Sequence, residues 1–300
     1  YETKFIRGIW TMRKLKAKPP VGKEKRAKII LSGKAGVGKT YFALDFPSCY
    51  YIDVEGSAER DHYADKLTKA GGVYFGQGEG SQDFETVIEE IITLATVEHE
   101  YKTVVIDSFS KIYATAAGIA EEKVGSDFGK DKKEANRPTR RLIRWIDRLD
   151  MNVILICHQA DKWGKDSKGE QSVIDTTFDG MKNLEYELDL WIEILKEGKK
   201  RKGRVRKSRL LGFVEGERFD LDYKDFAERY GKKLINAKHQ VTHETSTPEQ
   251  ASNLIMICRD AGIPTKTQQD WCDKAGVESL ELLPPDIMKK CTVYAEGRLA

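Results

Sequence analysis

A chain of 300 residues, 40% hydrophobic and 33% charged, has the makeup of a water-soluble globular protein with room for one large α/β domain and a small appendage. No apolar run approaches the ~18 residues that cross a bilayer, and no series of basic, apolar and cleavage segments opens the chain, so neither a membrane span nor secretion is expected. The five cysteines, Cys49, Cys157, Cys258, Cys272 and Cys291, are odd in number and lack a C-x-x-C pair, which argues against a disulfide framework or a zinc site and fits a reducing cytoplasm.

Residues 1–27 are basic and read as an arm with a small apolar anchor at Phe5, Ile6, Ile9 and Trp10. A short apolar strand over 28–32 runs into a glycine loop, and a helix is expected from Lys39. Further strands follow at 50–54, 73–75, 103–106 and 152–157. Helices are expected between them at 57–69, 82–97, 109–123 and 138–149, the second on the spacing of Phe84, Val87, Ile88, Ile91, Ile92 and Ala95. Strands alternating with helices imply a mainly parallel sheet covered on both faces. After Asp189 two strands, 190–196 and 204–213, should flank a basic turn, with a short strand and a helix in 216–230. Residues 196–209 (KEGKKRKGRVRKSR) hold nine basic residues against one acid and suit either phosphate binding or a solvated hairpin tip. The polar stretch 236–247 reads as a linker to a small helical module at 248–300, which leaves 28–235 as the core.

The run Gly33-Lys34-Ala35-Gly36-Val37-Gly38-Lys39-Thr40 satisfies G-x-x-x-x-G-K-[ST] in the strand-to-helix setting that the motif requires. Glycines allow backbone N–H groups to turn inward around phosphates, and the following helix adds its positive end. Lys39 should reach the β- and γ-phosphates and Thr40 should ligate Mg²⁺, so the expected ligand is ATP with Mg²⁺. Val104-Val105-Ile106-Asp107 fits the companion signature, with Asp107 at a strand end to hold the metal shell. Glu55 follows the strand Tyr50 to Val54 and can deprotonate an attacking water, or can be an ordinary acid at a helix start. Gln159 closes an apolar strand where a side chain could sense the γ-phosphate, and His158 beside it suits a structural role equally well.

This order of motifs resembles the RecA-like ATPases over roughly residues 28–215. Ile52-Asp53-Val54-Glu55 looks like the segment carrying the catalytic glutamate, and Val153 to Gln159 looks like the strand whose terminal Gln couples nucleotide state to a DNA-binding loop. A closer likeness is to phage-encoded, RecA-core-only nucleotide-binding proteins, the Sak-type ATPases of single-strand annealing. It rests on Arg137-Pro138-Thr139-Arg140-Arg141-Leu142-Ile143-Arg144-Trp145 and on Lys207-Ser208-Arg209. His158 stands where RecA has Asn, and the N-terminal arm is short.

The resemblance implies an ATP hydrolase that binds single-stranded DNA as a homo-oligomer, ring or filament, in the bacterial host cytoplasm, alongside a single-strand binding or annealing protein of the phage. Lys162, Trp163, Lys165 and Lys168 in the loop after Gln159, and Lys130, Lys132, Lys133, Arg137 and Arg140, are the candidate DNA contacts, though each group also suits a solvated surface. Lys207 and Arg209, two apart on an expected strand, could reach the γ-phosphate of a neighbouring subunit. The alternative is a helicase-loading or protein-remodelling ATPase that docks its partner through the C-terminal helices. A P-loop kinase fits less well, since no acceptor-binding lid is evident.

Overall fold

The computed structural model describes residues 17, 19, 25–56, 61–126, 129–165 and 169–299. The arm's expected anchor and Lys168 lie outside them. Five parallel strands form the centre of the sheet: β1 (Lys28–Gly33), β2 (Cys49–Asp53), β3 (Val73–Phe75), β4 (Thr103–Asp107) and the first part of β5 (Asn152–Lys165). Then come β6 (Gln171–Phe178), β7 (Leu190–Glu197), β8 (Lys200–Ser208) and β9 (Arg218–Asp220). The order is β3-β2-β4-β5-β1-β7-β8-β9, with β7 parallel to β1, β8 and β9 antiparallel, and β6 paired to the far half of β5.

Side chains alternate across the sheet, as the two-residue period of a strand requires. Ile30, Ile52, Val104, Ile106, Val153 and Leu155 face one apolar cluster. Ile29, Leu31, Tyr51, Val105, Ile154 and Ile156 face the other. The first cluster is covered by α3 (Phe84–Thr96), α4 (Phe109–Val124) and α5 (Lys130–Arg148). The second is covered by α1 (Lys39–Ala43), α2 (Asp61–Lys69), α7 (Tyr223–Tyr230) and α8 (Lys232–Ile235), with Phe42, Phe46, Phe213 and Phe226 at its centre. A four-residue turn, α6 (Leu184–Glu187), precedes β7. Last come α9 (Pro248–Asp260), α10 (Thr265–Ala275) and α11 (Pro285–Glu296), whose buried residues continue the first cluster. Trp145 on α5 donates to Glu278 (2.9 Å), and residues 236–247 follow the base of the core, where Gln240 N meets Asp150 (3.2 Å). Among the described residues no helix is long and apolar enough to cross a membrane. All five cysteines are free and buried.

Three expectations change. The fifth helix begins at Lys130, not Pro138, and carries that proline inside it. Burial of Ala135, Thr139, Leu142 and Ile146 down one face holds the helix together across the hydrogen bond that proline removes. β5 does not stop at Cys157. It continues as an exposed hairpin arm with β6, so Lys162, Trp163 and Lys165 lie on a strand, not a loop. The basic turn is shorter than expected, because the chain reverses in two residues at Gly198 (φ +61°) and Lys199, so the strand expected over 204–213 is instead β8, Lys200–Ser208.

Lys28 opens β1 and is buried. Its ammonium donates to the carbonyls of Leu149 (2.7 Å) and Met151 (2.8 Å). Burial lowers its pKa to about 7, against the pull of Asp189, Asp147 and Asp150. Above that pH the folded chain loses a proton that the unfolded chain keeps, so this group makes stability rise with pH from about 7 toward its ordinary value of 10.5. Denaturant midpoints across that range should show the rise in the wild type and a flatter profile in Lys28→Met, which is also less stable because the two carbonyls lose their donor.

Candidate nucleotide site

The site lies where the central parallel strands end. β1 delivers the glycine loop, and its neighbour β5 brings His158 level with Gly33. β4 ends at Asp107, and β2, on the far side of β4, ends just before Glu55. Together they line a cavity of about 590 Å³ bordered by Gly33, Lys34, Ala35, Gly36, Gly38, Lys39, Thr40, Glu55, Tyr63, Asp107, His158 and Gln159.

Gly33 has φ +149°, and a Cβ there would sit 2.7 Å from the Ile194 carbonyl of β7, so only glycine lets the loop leave β1 at this point. Gly36 (φ +70°) and Gly38 (φ +98°) hold left-handed conformations that curl the loop. The helix that follows has five residues, so the pull on an anion rests on the loop's own amides more than on a long helix dipole. Lys39 Nζ donates to the carbonyls of Gly33 (2.9 Å) and Lys34 (3.1 Å). Burial lowers its pKa, and Asp107 and Glu55 oppose that shift. Arg201, on β8, donates from Nε to the Val37 carbonyl (2.7 Å) and braces the loop from outside.

Asp107 Oδ2 accepts from Thr40 Oγ1 (2.5 Å) and from the Tyr51 hydroxyl (2.8 Å). Burial raises its pKa to about 6. The bonds from Thr40 and Tyr51 lower it, and the charges of Glu55 and Asp53 add to the rise. A hydroxyl and a carboxylate oxygen in contact are hard donors that fit Mg²⁺. Among the described residues no group of three or more His, Cys, Asp or Glu is placed to hold a metal, so a cation here would depend on phosphate oxygens for the rest of its shell.

Glu55 is positioned by backbone. Val54 N (2.7 Å) and Glu55 N (3.3 Å) donate to the Asp107 carbonyl, and Glu55 N (3.1 Å) and Gly56 N (2.9 Å) donate to Asp53 Oδ1. The Glu55 carboxylate meets His158 Nε2 at 2.6 Å. Burial pushes its pKa up, but hydrogen bonds from Ser108 and His158 and the charges of His158 and Lys111 together hold it below the usual carboxylate value. An ionised carboxylate beside a phosphate cavity is equipped to accept a proton from water.

Every residue of the glycine loop except Val37, together with Asp107, Glu55 and Gln159, therefore lines one cavity. Val37 is buried behind the loop. Lys207 and Arg209 are elsewhere. β8 ends at Ser208, so Arg209 lies beyond the strand and the two do not share one strand face. Lys207 pairs with Trp191 near the start of β7, away from Arg201 and the loop, and its Nζ donates to Leu188 O, while Arg209 donates to Tyr186 O. Lys130, Lys133, Arg137 and Arg140 form one stripe on α5, with Lys132 off it. Trp163 is 65% exposed, flanked on the hairpin by exposed Lys162 and Lys165. Sequence reasoning missed Tyr63, an aromatic on a polar helix, and Arg201, one cation among nine in its run. Nothing local marks either one.

A glycine loop on β1, a carboxylate at the tip of β4 and β5 between those strands define a P-loop nucleoside triphosphatase. The AAA domain family model matches residues 25–220, and the chain belongs to that family. No curated protein matches the sequence. Among solved structures, the RadB recombinase is similar at 16% identity and a TM-score of 0.41, over 66% of this chain and 89% of that one.

Two measurements check this geometry. Because Asp107 must give up a proton near pH 6 before it can serve a cation, affinity for a magnesium-loaded, non-hydrolysable nucleotide should fall about tenfold per pH unit below 6 and level off above it. Asp107→Asn should bind more weakly, with a flatter profile. In steady-state hydrolysis, Arg201→Ala should raise KM about tenfold and leave kcat within about twofold, since the loss of one charged hydrogen bond loosens the loop without touching the reacting atoms.

Proposed function

We propose that the chain is an ATP hydrolase of the RecA-like type whose activity is coupled to single-stranded DNA. It would work as a homo-oligomer in phage-type recombination, strand annealing or replication in a bacterial cytoplasm. The observation that carries this reading is the course of β5. One continuous strand runs from His158 and Gln159, at the cavity, to Lys162, Trp163 and Lys165 on an exposed hairpin. A change at the terminal phosphate would be felt at the strand's base, and its far end carries an aromatic face for stacking on a base and cations for phosphates. The base of the hairpin is fixed to the sheet, since Arg206 on β8 binds Asp175 on β6 (2.7 Å) and reaches Glu193 on β7 (3.5 Å).

In this reading the loop amides and Lys39 hold the triphosphate, and Gln159 faces its terminal phosphate. Glu55 orients a water and takes its proton as the water oxygen bonds to the γ-phosphorus and the bond to the β–γ bridging oxygen breaks, giving ADP and phosphate. Thr40 and Asp107 would hold Mg²⁺, which supplies charge neutralisation at the phosphates. Lys207 and Arg209, turned away from their own loop, would serve the site of an adjacent subunit, in keeping with the Sak-type likeness.

ATP hydrolysis should be stimulated by oligothymidylate. Lys39→Ala should abolish nucleotide binding and hydrolysis, while Glu55→Gln keeps binding and slows hydrolysis by about 10²–10⁴-fold. Hydrolysis indifferent to every single-stranded DNA tried would overturn the DNA part of the reading, and full activity in Glu55→Gln would overturn the role of that residue.

A further inference from the structure

A second concave site, about 340 Å³, lies between α5 and the segment joining β6 to β7. Arg140 and Arg144 line it from the helix, and Lys182 and Asn183 from the segment. Glu187 is the one acid in its lining. Among the described residues none of the three cations forms an ion pair, whereas their neighbours Arg137 and Arg141 are bonded to Glu134 and Glu85. Asn136, also in the lining, accepts from the Tyr113 hydroxyl (3.0 Å) through Oδ1, so its Nδ2 amide is left to donate. Two guanidinium groups, an ammonium and an amide present mainly donors and positive charge to one hollow, which suits a phosphate oxygen.

The hollow is not isolated. Arg140 and Arg144 end the stripe that begins with Lys130, Lys133 and Arg137, and it runs along about 21 Å of helix axis. Like charges three and four residues apart weaken a helix, and this one already carries an internal proline. A row of cations leading into a donor-lined hollow matches a chain of phosphates better than one free anion.

We propose that the phosphodiester backbone of single-stranded DNA runs along this face of α5 and seats a phosphate between Arg144 and Lys182. The proposal rests on the DNA-binding reading above and extends it to a site away from the hairpin. Phosphate contacts of this kind position a strand without reading its sequence.

The test uses the full chain with a labelled oligothymidylate and a non-hydrolysable ATP analogue, followed by fluorescence anisotropy at several salt concentrations. Arg140 is left intact. The double variant Arg144→Ala/Lys182→Ala alters two exposed side chains. It should weaken binding about tenfold at low salt and make the slope of log affinity against log salt shallower by about 0.7, the release expected for one phosphate contact on a single strand. Lys266→Ala/Lys274→Ala on α10 removes the same charge elsewhere and should change neither quantity. Trp163→Ala should weaken binding with the slope unchanged, because stacking releases no counterions. The proposal is overturned if the Arg144/Lys182 variant behaves like the α10 control while wild type and Trp163→Ala differ, and DNA binding through the hairpin then still stands. A wild-type chain with no affinity for the oligonucleotide overturns both.

Discussion

Asp107 is the point on which the nucleotide site depends. Its carboxylate accepts from Thr40, which follows β1, and from Tyr51 on β2, while its carbonyl takes the amides of Val54 and Glu55. One residue at the tip of β4 thus joins the phosphate loop to the segment that carries the proposed base. Asp107 is 3% exposed, and that burial is the main cause that raises its pKa to about 6. A buried carboxylate with two hydroxyl donors is poised to exchange them for a hard cation. The same contacts fix the distance across which Lys39 and Glu55 face the cavity.

Strand order decides what stands next to these contacts. Because β5 lies between β1 and β4, its end stands between the loop and Asp107, and His158 reaches Glu55 over the tip of β4. The other half of β5 leaves the sheet as a hairpin anchored by Arg206, Asp175 and Glu193. Asp175 keeps its charge far into acid, its pKa lowered to about 2, chiefly by the hydrogen bond from Arg206.

The basic residues divide by the direction in which their strand or helix carries them. Along β8, Arg201 returns to the chain's own phosphate loop, Arg206 ties the hairpin down, and Lys207 settles on the carbonyl of Leu188 at the opposite end. A run that looks uniform in sequence thus serves three places, because an antiparallel strand spreads successive residues over its length and both its faces. On α5 the helical period does the reverse and gathers separate cations into one stripe.

The sequence alone determined what depends on local backbone chemistry. The glycine loop was legible because only glycine fits φ +149° against the Ile194 carbonyl at Gly33 and φ +98° at Gly38. Asp107 and Glu55 were legible because each follows an apolar strand with a two-sided pattern. The tertiary structure decided everything set by which strands lie side by side. His158 meets Glu55 across 103 positions of chain, and Arg201 meets Val37 across 164. The hairpin after Gln159 and the start of the basic strand were missed for a related reason. Their stability comes from backbone pairing and ion pairs between strands, which leave no apolar period in the sequence. A residue's own neighbours dictate its dihedral angles, but contacts between strands are dictated by the whole sheet.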